Sequence, residues 1–420
     1  MRIGIVSYFA PPQPAVAAHR VLRLTRALLA AGHEVHWVTV DGAKLVARDD
    51  TLTALIPDAV VQHGLGGPTL WSLPASRTFF EKVKRTLAYK LSNWLPIPDR
   101  HVEWVLRLRR RLPALAVRER FDVVLMTCGP HGQILALPRL RRAAPGLMIL
   151  VDYRDLLSGN AWTGSDDARV RDRLLERERR LLRHADALFV NSEQALAVFA
   201  AAMGELPCPV EVMRNAADFG LAEEVAARWP LPPIGDGIHL GFFGSIFPRR
   251  RMLPVLEAMA RLPDAVLQRT TLHAYCGADT SRRLLDEDLA RVRAEVRPRV
   301  VVHDYLAFAE ALRAMAAMTA LVLVNGPEPE DNIFIPGKLY DYLMAQRPVL
   351  FIGNHGDAWR FVADTSGPDR CFLHADTTAL AAAIAALEAR PEDLAVASEH
   401  DAATAFGPLL TRLDAAATRA

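Results

Sequence analysis

Short runs of β-branched and aromatic residues alternate with stretches that are apolar at every third or fourth position, and the alternation recurs along the whole chain. Ile3–Phe9 reads as a strand, followed by a loop with three prolines between Ala10 and Ala15. Val21, Leu22, Leu24, Leu28 and Leu29 then make one face of a helix, with Arg20, Arg23 and Arg26 on its polar side and Gly32 as its C′ glycine. His33–Val40 is the next strand, and strand, helix, strand in that order predicts a right-handed parallel unit. The pattern is interrupted over 62–115 and resumes with strands at Phe121–Thr127, Met148–Asp152 and Ala185–Val190. A highly charged helix spans Arg169–His184, and Ser192 is placed to cap a helix over Gln194–Met203. After the short strand Val210–Met213, the Pro/Gly-rich run from Trp229 to Gly237 reads as a linker.

Alternation then restarts. Strands are expected at Ile238–Phe243, Leu272–Cys276, Val300–His303, Ala320–Val324 and Val349–Ile352. Helices are expected at Leu253–Arg261, Ser281–Glu295, Ala307–Met315 and from Leu339 to Met344. The tail Pro391–Ala420 is helical in pattern and broken near Gly407-Pro408. The fold class is therefore α/β, with two doubly wound parallel sheets. The first domain is placed at 1–205, with a C-terminal helix at 400–420 packing back on it. A linker region follows at 206–236 and the second domain at 237–399.

A chain of 420 residues, 51% hydrophobic and 23% charged, has ample core for two or three domains. Its formal net charge of +2 is too small to argue for nucleic acid, and no nucleic-acid module is present. The charge is uneven, however. Residues 77–118 hold eleven basic side chains against three acidic ones. With Phe79, Phe80, Tyr89, Trp94 and Trp104 interleaved, this segment suits an anionic membrane surface, and a solvated face with inward-packed aromatics is the competing account. The cysteines Cys128, Cys208, Cys276 and Cys371 are too scattered for a zinc pattern or a disulfide framework, so a reducing, cytoplasmic setting is expected. The chain begins on a strand with no apolar leader, and no run is long enough to span a membrane.

Candidate chemistry gathers where strands end. His131 sits in Cys-Gly-Pro-His-Gly after a strand, at the edge where open α/β sheets bind ligands. Met148–Asp152 runs into Tyr153, Arg154 and Asp155, which is either a site edge or a structural salt-bridge cluster. Gly244 and Ser245 end another strand, and Arg249, Arg250 and Arg251 precede the next helix. Cations there oppose the helix dipole, so they suggest a diphosphate cradle. Ile335–Pro348 offers a Pro-Gly corner, then Gly337 and Lys338 at a helix start, then Asp341 on the first turn. Such a start suits a phosphate-bearing ligand with a ribose hydroxyl, and an ordinary acidic helix start is the alternative. The first loop lacks G-x-G-x-x-G, which argues against nicotinamide or flavin. Asp166-Asp167 alone makes a weak metal motif.

The strings VSYFAPPQ, AGHEVHWVTV, VDYRD, ADALFVNSE, VMRNAADF, GFFGSIFPRRR and IPGKLYDYLMAQRPVL, in that order, resemble retaining glycosyltransferases of family four. The resemblance implies the GT-B fold, two facing Rossmann-like domains with a cleft between them. It implies transfer of a sugar from a UDP- or GDP-sugar, with retention, to a glycan or lipid-linked acceptor at the inner membrane face. No cofactor or metal is implied. Asp341 matches the second acid of the family's E-x7-E motif, while the first falls on Ile333, a departure with Glu328, Glu330 and Asp331 nearby. Gly244, Gly337, Lys338 and Leu339 match positions along the donor phosphates. Arg250 stands where the family has a diphosphate-binding lysine, and Ser245 replaces the family's arginine, with Arg249 or Arg251 as substitutes. His131 and Asp155 match the catalytic side of the cleft, and Pro12, Gln13, Asp152 and Arg154 the acceptor side. A sugar-nucleotide epimerase and a non-catalytic nucleotide-sugar-binding scaffold are the other readings.

Overall fold

The computed structural model describes residues 1–73, 83, 85–86, 95, 97–158, 167–328, 331, 334–388, 394 and 397–418. The chain divides into two units, Met1–Ala216 with Ala402–Ala420, and Ala217–Asp401. In the first, seven strands form one parallel sheet in the order β3-β2-β1-β4-β5-β6-β7. They are β1 Arg2–Val6, β2 Glu34–Thr39, β3 Val61–Gly64, β4 Val123–Cys128, β5 Met148–Tyr153, β6 Ala187–Val190 and β7 Val210–Val212. Strands β4 and β6 are buried at every position, as continuous apolar runs covered by helices on both faces must be. Gly32 ends the first helix at φ 78°, and the Ser192 hydroxyl accepts from the Ala195 amide, as the pattern predicts. The strand order reverses between β1 and β4, which places the loops Ser7–Ala15 and Gly129–His131 at a topological switch point.

The C-terminal helix Gly407–Ala417 belongs to this unit, because Phe406, Leu409 and Leu413 share a core with Ile3, Val35, Val123 and Leu150. Each such side chain contributes about 1.5–3 kcal/mol on burial. The helical tail is broken next to Gly407-Pro408, as the pattern predicts: a short helix Ala402–Ala405 ends before Phe406 and this one starts at Gly407, where a proline in the first turn has no N–H to lose.

The second unit is a six-stranded parallel sheet, β10-β9-β8-β11-β12-β13. Its strands are β8 Ile238–Phe243, β9 Thr270–Tyr275, β10 Val300–His303, β11 Ala320–Val324, β12 Val349–Ile352 and β13 Cys371–Phe372. Its switch point lies between β8 and β11. One face carries a histidine ladder. His239 Nε2 donates to the Gly235 carbonyl at 2.8 Å, His239 Nδ1 meets His273 Nε2 at 3.0 Å, and His273 Nδ1 meets His303 Nε2 at 3.0 Å. Tyr275 stacks on His303 with centroids 4.2 Å apart, and Phe243 stacks on Tyr275 at 4.4 Å.

Several expectations need correction. Residues 206–236 are no free linker: β7 is hydrogen-bonded into the first sheet, and Phe219–Arg228 is a helix of the second unit. The division falls at Ala216, upstream of the Pro/Gly run. The helix expected over Ser281–Glu295 stops at Leu289 and resumes as a 3-10 turn with Pro298 inside it. Arg20 and Arg23 do not lie on a solvated face; both are buried and feed carbonyls around Met213–Ala216. Trp104 packs inward, with its indole N–H on Gln133. The other interrupting aromatics, Phe79, Phe80, Tyr89 and Trp94, lie outside the described residues. Among those described, no helix is long and apolar enough to cross a membrane.

Candidate active site

In the second unit, β8 ends at Phe243 and the backbone turns at Gly244, with φ 128°. The Gly244 amide donates to the Tyr275 carbonyl at 3.0 Å. A Cβ here would stand 2.8 Å from Lys338 Nζ, so only glycine lets the ammonium lie against the turn. Lys338 begins the helix Lys338–Met344, and its Nζ sits 5.1 Å from the Phe242 ring centroid. No carboxylate bonds this ammonium among the described residues. Burial, reinforced by the Arg250 charge and only partly offset by Asp341, lowers its pKa to about 8. Arg250 is partly buried, at the end of a turn closed by its own amide on the Phe247 carbonyl at 2.9 Å. Two cations converge on one glycine turn, next to a buried Asp341.

The rest of the arginine run is committed elsewhere. Arg251 forks onto Asp288 at 2.8 Å and reaches Glu287 at 3.2 Å, and the Asp288 bond raises its pKa. Arg249 pairs with buried Asp331 at 3.4 Å. The unfavourable dipole position of these two is thus offset by acids of the fold, while the Arg250 charge acts on Lys338. Asp331 tucks beneath Gly326, where a Cβ would lie 2.0 Å from its carboxylate oxygen, and it accepts from the Glu328 amide at 3.3 Å. Ile333 and Glu330 lie outside the described residues.

Leu339 does not offer its amide to a ligand. It is fully buried, its N–H donates to the Pro336 carbonyl at 3.0 Å, and the Tyr340 N–H is spent on Gly337 at 3.2 Å. Gly337 caps the helix by backbone alone. The Ser245 hydroxyl is 2.8 Å from that of Tyr305, whose ring lies over Gly277. Tyr305 was missed by sequence reasoning, although an aromatic just past β10 at a strand's carboxyl end is the available signal.

In the first unit, His131 Nε2–H donates to the Asp155 carbonyl at 2.7 Å, which leaves Nδ1 as an acceptor. Burial lowers the imidazole pKa below its ordinary value, against the pull of Asp155 and Asp99, so the ring is neutral at pH 7. Its edge meets the Tyr153 ring at 5.2 Å. The Asp155 carboxylate is exposed. Arg154 folds under the loop, donating to the Cys128 carbonyl at 3.3 Å and to Gly129 at 3.1 Å. Gly129, at φ 137°, leaves room for that guanidinium, which a Cβ would meet at 2.1 Å. Arg154 therefore positions the His131 loop.

Three expected acceptor-side residues are structural. Asp152 is fully buried and held by Arg20 through Nε at 2.9 Å and Nη2 at 2.7 Å. Such a pair costs about 3–5 kcal/mol when one partner is lost. Gln13 is buried with its amide on the Tyr8 carbonyl at 2.7 Å, and buried Pro12 accepts from Asp49 at 2.8 Å. Asp167 caps its helix through Arg169 at 2.8 Å, and Asp166 lies outside the described residues. Sequence reasoning also passed over Glu178, buried beside Tyr153 and Ser158, whose pKa burial raises to about 7. A glutamate in a helix this charged gives no pattern that marks it as buried.

Residues 17–220 match Glycosyltransferase Family 4. No curated protein matches the chain in sequence. Among solved structures, sucrose-phosphate synthase from Thermosynechococcus elongatus superposes with a TM-score of 0.61 at 16% identity, covering 99% of this chain and 100% of that one. Anabaena HepE in complex with UDP gives 0.59 at 15%, with 99% and 100% covered. A trehalose-phosphate synthase from Burkholderia xenovorans, holding glucose-6-phosphate, gives 0.61 at 13%, with 99% and 100% covered. These likenesses establish the fold, two Rossmann-like units of the GT-B type. The family match lends nothing to an epimerase. With that match over residues 17–220 and this architecture along its length, the chain is similar to Glycosyltransferase Family 4 and has the GT-B fold.

Proposed function

We propose that the chain moves a sugar from a nucleoside diphosphate sugar to an acceptor hydroxyl with retention of configuration and without a metal. The observation that carries this reading is the Lys338 ammonium, buried against Gly244 beside Arg250 with no acid bonded to it among the described residues. Two convergent cations suit a diphosphate, and they stabilise the charge that grows on it as the anomeric C–O bond breaks. Asp341, one turn along the same helix, suits a ribose hydroxyl. The acceptor oxygen bonds to the anomeric carbon on the face the diphosphate leaves, and its proton passes to the departing phosphate oxygen. No protein nucleophile is then needed. His131, neutral and with Nδ1 available, is suited to accept from a sugar hydroxyl, with Asp155 beside it. HepE structures hold UDP and UDP-glucose, which favours a uridine donor over GDP here. A binding screen of UDP, GDP, ADP and their sugars identifies the base. Transfer unchanged in both Arg250→Ala and Lys338→Ala would remove the assignment.

The acceptor side is proposed to meet an anionic membrane from the cytoplasmic face, with a lipid-linked glycan as acceptor. The helix Val102–Arg118 supports this. It exposes Arg109, Arg110, Arg111 and Arg118 together with Leu106 and Val117. Basic and apolar groups on one helix face suit a headgroup layer. Flotation with anionic liposomes at low salt tests it, and no association would end the proposal.

A further inference from the structure

We propose that the first unit holds a structural divalent-metal site, formed by His36, His63 and Glu119 and suited to zinc. One nitrogen from each imidazole and one carboxylate oxygen lie within 4.8 Å of one another. The three residues come from β2, β3 and the turn before β4, so a bound ion would tie together segments distant in sequence. His36 is prepared as a ligand. Its Nε2–H is fixed on the Glu34 carboxylate at 2.7 Å, which leaves Nδ1 unprotonated. An imidazole held through its second nitrogen by a carboxylate is the usual support for a metal-bound histidine. That Nδ1 faces His63 Nε2 at 2.9 Å, with the rings stacked at 5.2 Å and interplanar 5°.

Glu119 is also set in place. Arg2 donates to its backbone carbonyl at 2.7 Å, and Arg118 holds Oε1 at 2.7 Å, which leaves Oε2 for an ion. Phe121 closes the apolar side, its ring 5.2 Å from His36 and 6.2 Å from His63. Two imidazoles and a carboxylate suit zinc or a neighbouring first-row cation over magnesium or calcium, which prefer all-oxygen sites. With three protein ligands, water completes a tetrahedral shell. On binding, the His63 proton moves from Nε2 to Nδ1 as Nε2 takes the ion. The second unit has a comparable pair in His273 and His303, opposite Gly241 as His36 is opposite Gly4. There His239 occupies the second nitrogen of His273, and among the described residues no third ligand completes a cluster. The ion would pin β3, a four-residue edge strand whose Val61 and Gln62 are exposed.

The test is calorimetric titration of the full, tag-free chain with zinc chloride, and with cobalt chloride read by visible absorption. The expected result is one equivalent bound, a tetrahedral cobalt spectrum, and a melting point raised by a few degrees relative to the EDTA-treated protein. His63→Ala, at a partly exposed position, should weaken binding at least 100-fold, and Glu34→Gln, which loosens the support, about 10- to 100-fold. Both variants should melt like the wild type in EDTA, and His303→Ala should bind zinc as the wild type does. Absence of binding by the wild type, unchanged affinity in His63→Ala, or an equal loss in His303→Ala would overturn the site.

Discussion

Replacing Lys338 by methionine separates what favours folding from what favours donor binding. Methionine keeps the length of the stem and removes the charge. In the folded chain the ammonium pKa falls from 10.5 to about 8, first through burial and then through Arg250. One pH unit corresponds to about 1.4 kcal/mol, so keeping this group charged at pH 7 costs up to about 3 kcal/mol. Residual contact with water reduces that to about 1–3 kcal/mol. The cost is full below pH 8 and is relieved between 8 and 10.5, where the folded chain releases its proton before the unfolded one does. Lys338→Met should therefore raise the unfolding free energy at pH 7 by about 1–3 kcal/mol, seen as a higher urea midpoint with an unchanged slope. The same change removes a charge-assisted contact worth about 1.5–3 kcal/mol to a diphosphate, so the Kd for UDP should rise roughly 10- to 150-fold. Wild-type binding should also weaken as pH climbs through about 8, while the variant stays flat there. A variant that is less stable and still binds UDP normally would refute both the strain and its purpose.

Gly244→Ala should weaken donor binding roughly tenfold or more, because its Cβ would stand 2.8 Å from Lys338 Nζ at a φ of 128°; donor titration of the variant checks this. Asp152→Asn should destabilise the first unit by about 3–5 kcal/mol by leaving Arg20 buried without its acid, and a urea melt at pH 7 reads the loss. His273 has its pKa lowered from 6.5 to about 4 by burial and then by His239 and His303, so the unfolded chain binds that proton first. Stability should fall by about 1–3 kcal/mol as pH drops from 6.5 to 4, and His273→Gln should remove that part of the slope in paired melts at pH 7 and 4.5.

The elements were legible because their signals are local. The Gly32 stop and the Ser192 cap are each written within a few residues, and buried parallel strands announce themselves as apolar runs. Partnerships across the chain were not. Arg20 sits at a polar position of its helix stripe, and only folding brings it to Asp152, 132 residues away. The arginine run looked like one cradle, yet Asp288 and Asp331 each claim a member. The closeness of Lys338 to Gly244 depends on two loops at neighbouring strand ends, which periodicity cannot supply and the family resemblance did. Pro12 and Gln13 carried the resemblance through their sequence, while burial assigns them to the loop's own architecture.

The histidine ladder of the second unit has a direction. A neutral imidazole donates at one nitrogen and accepts at the other, so the Gly235 carbonyl, able only to accept, fixes the tautomer of His239. That ring then fixes His273, which fixes His303. Three tautomers across three strands are thus set together by one backbone oxygen. No ring can reverse alone without setting two donors, or two lone pairs, against each other. The ladder ends at His303 Nδ1, an acceptor delivered to the strand end that precedes Tyr305, so the backbone at the start of β8 determines the hydrogen-bonding character offered there.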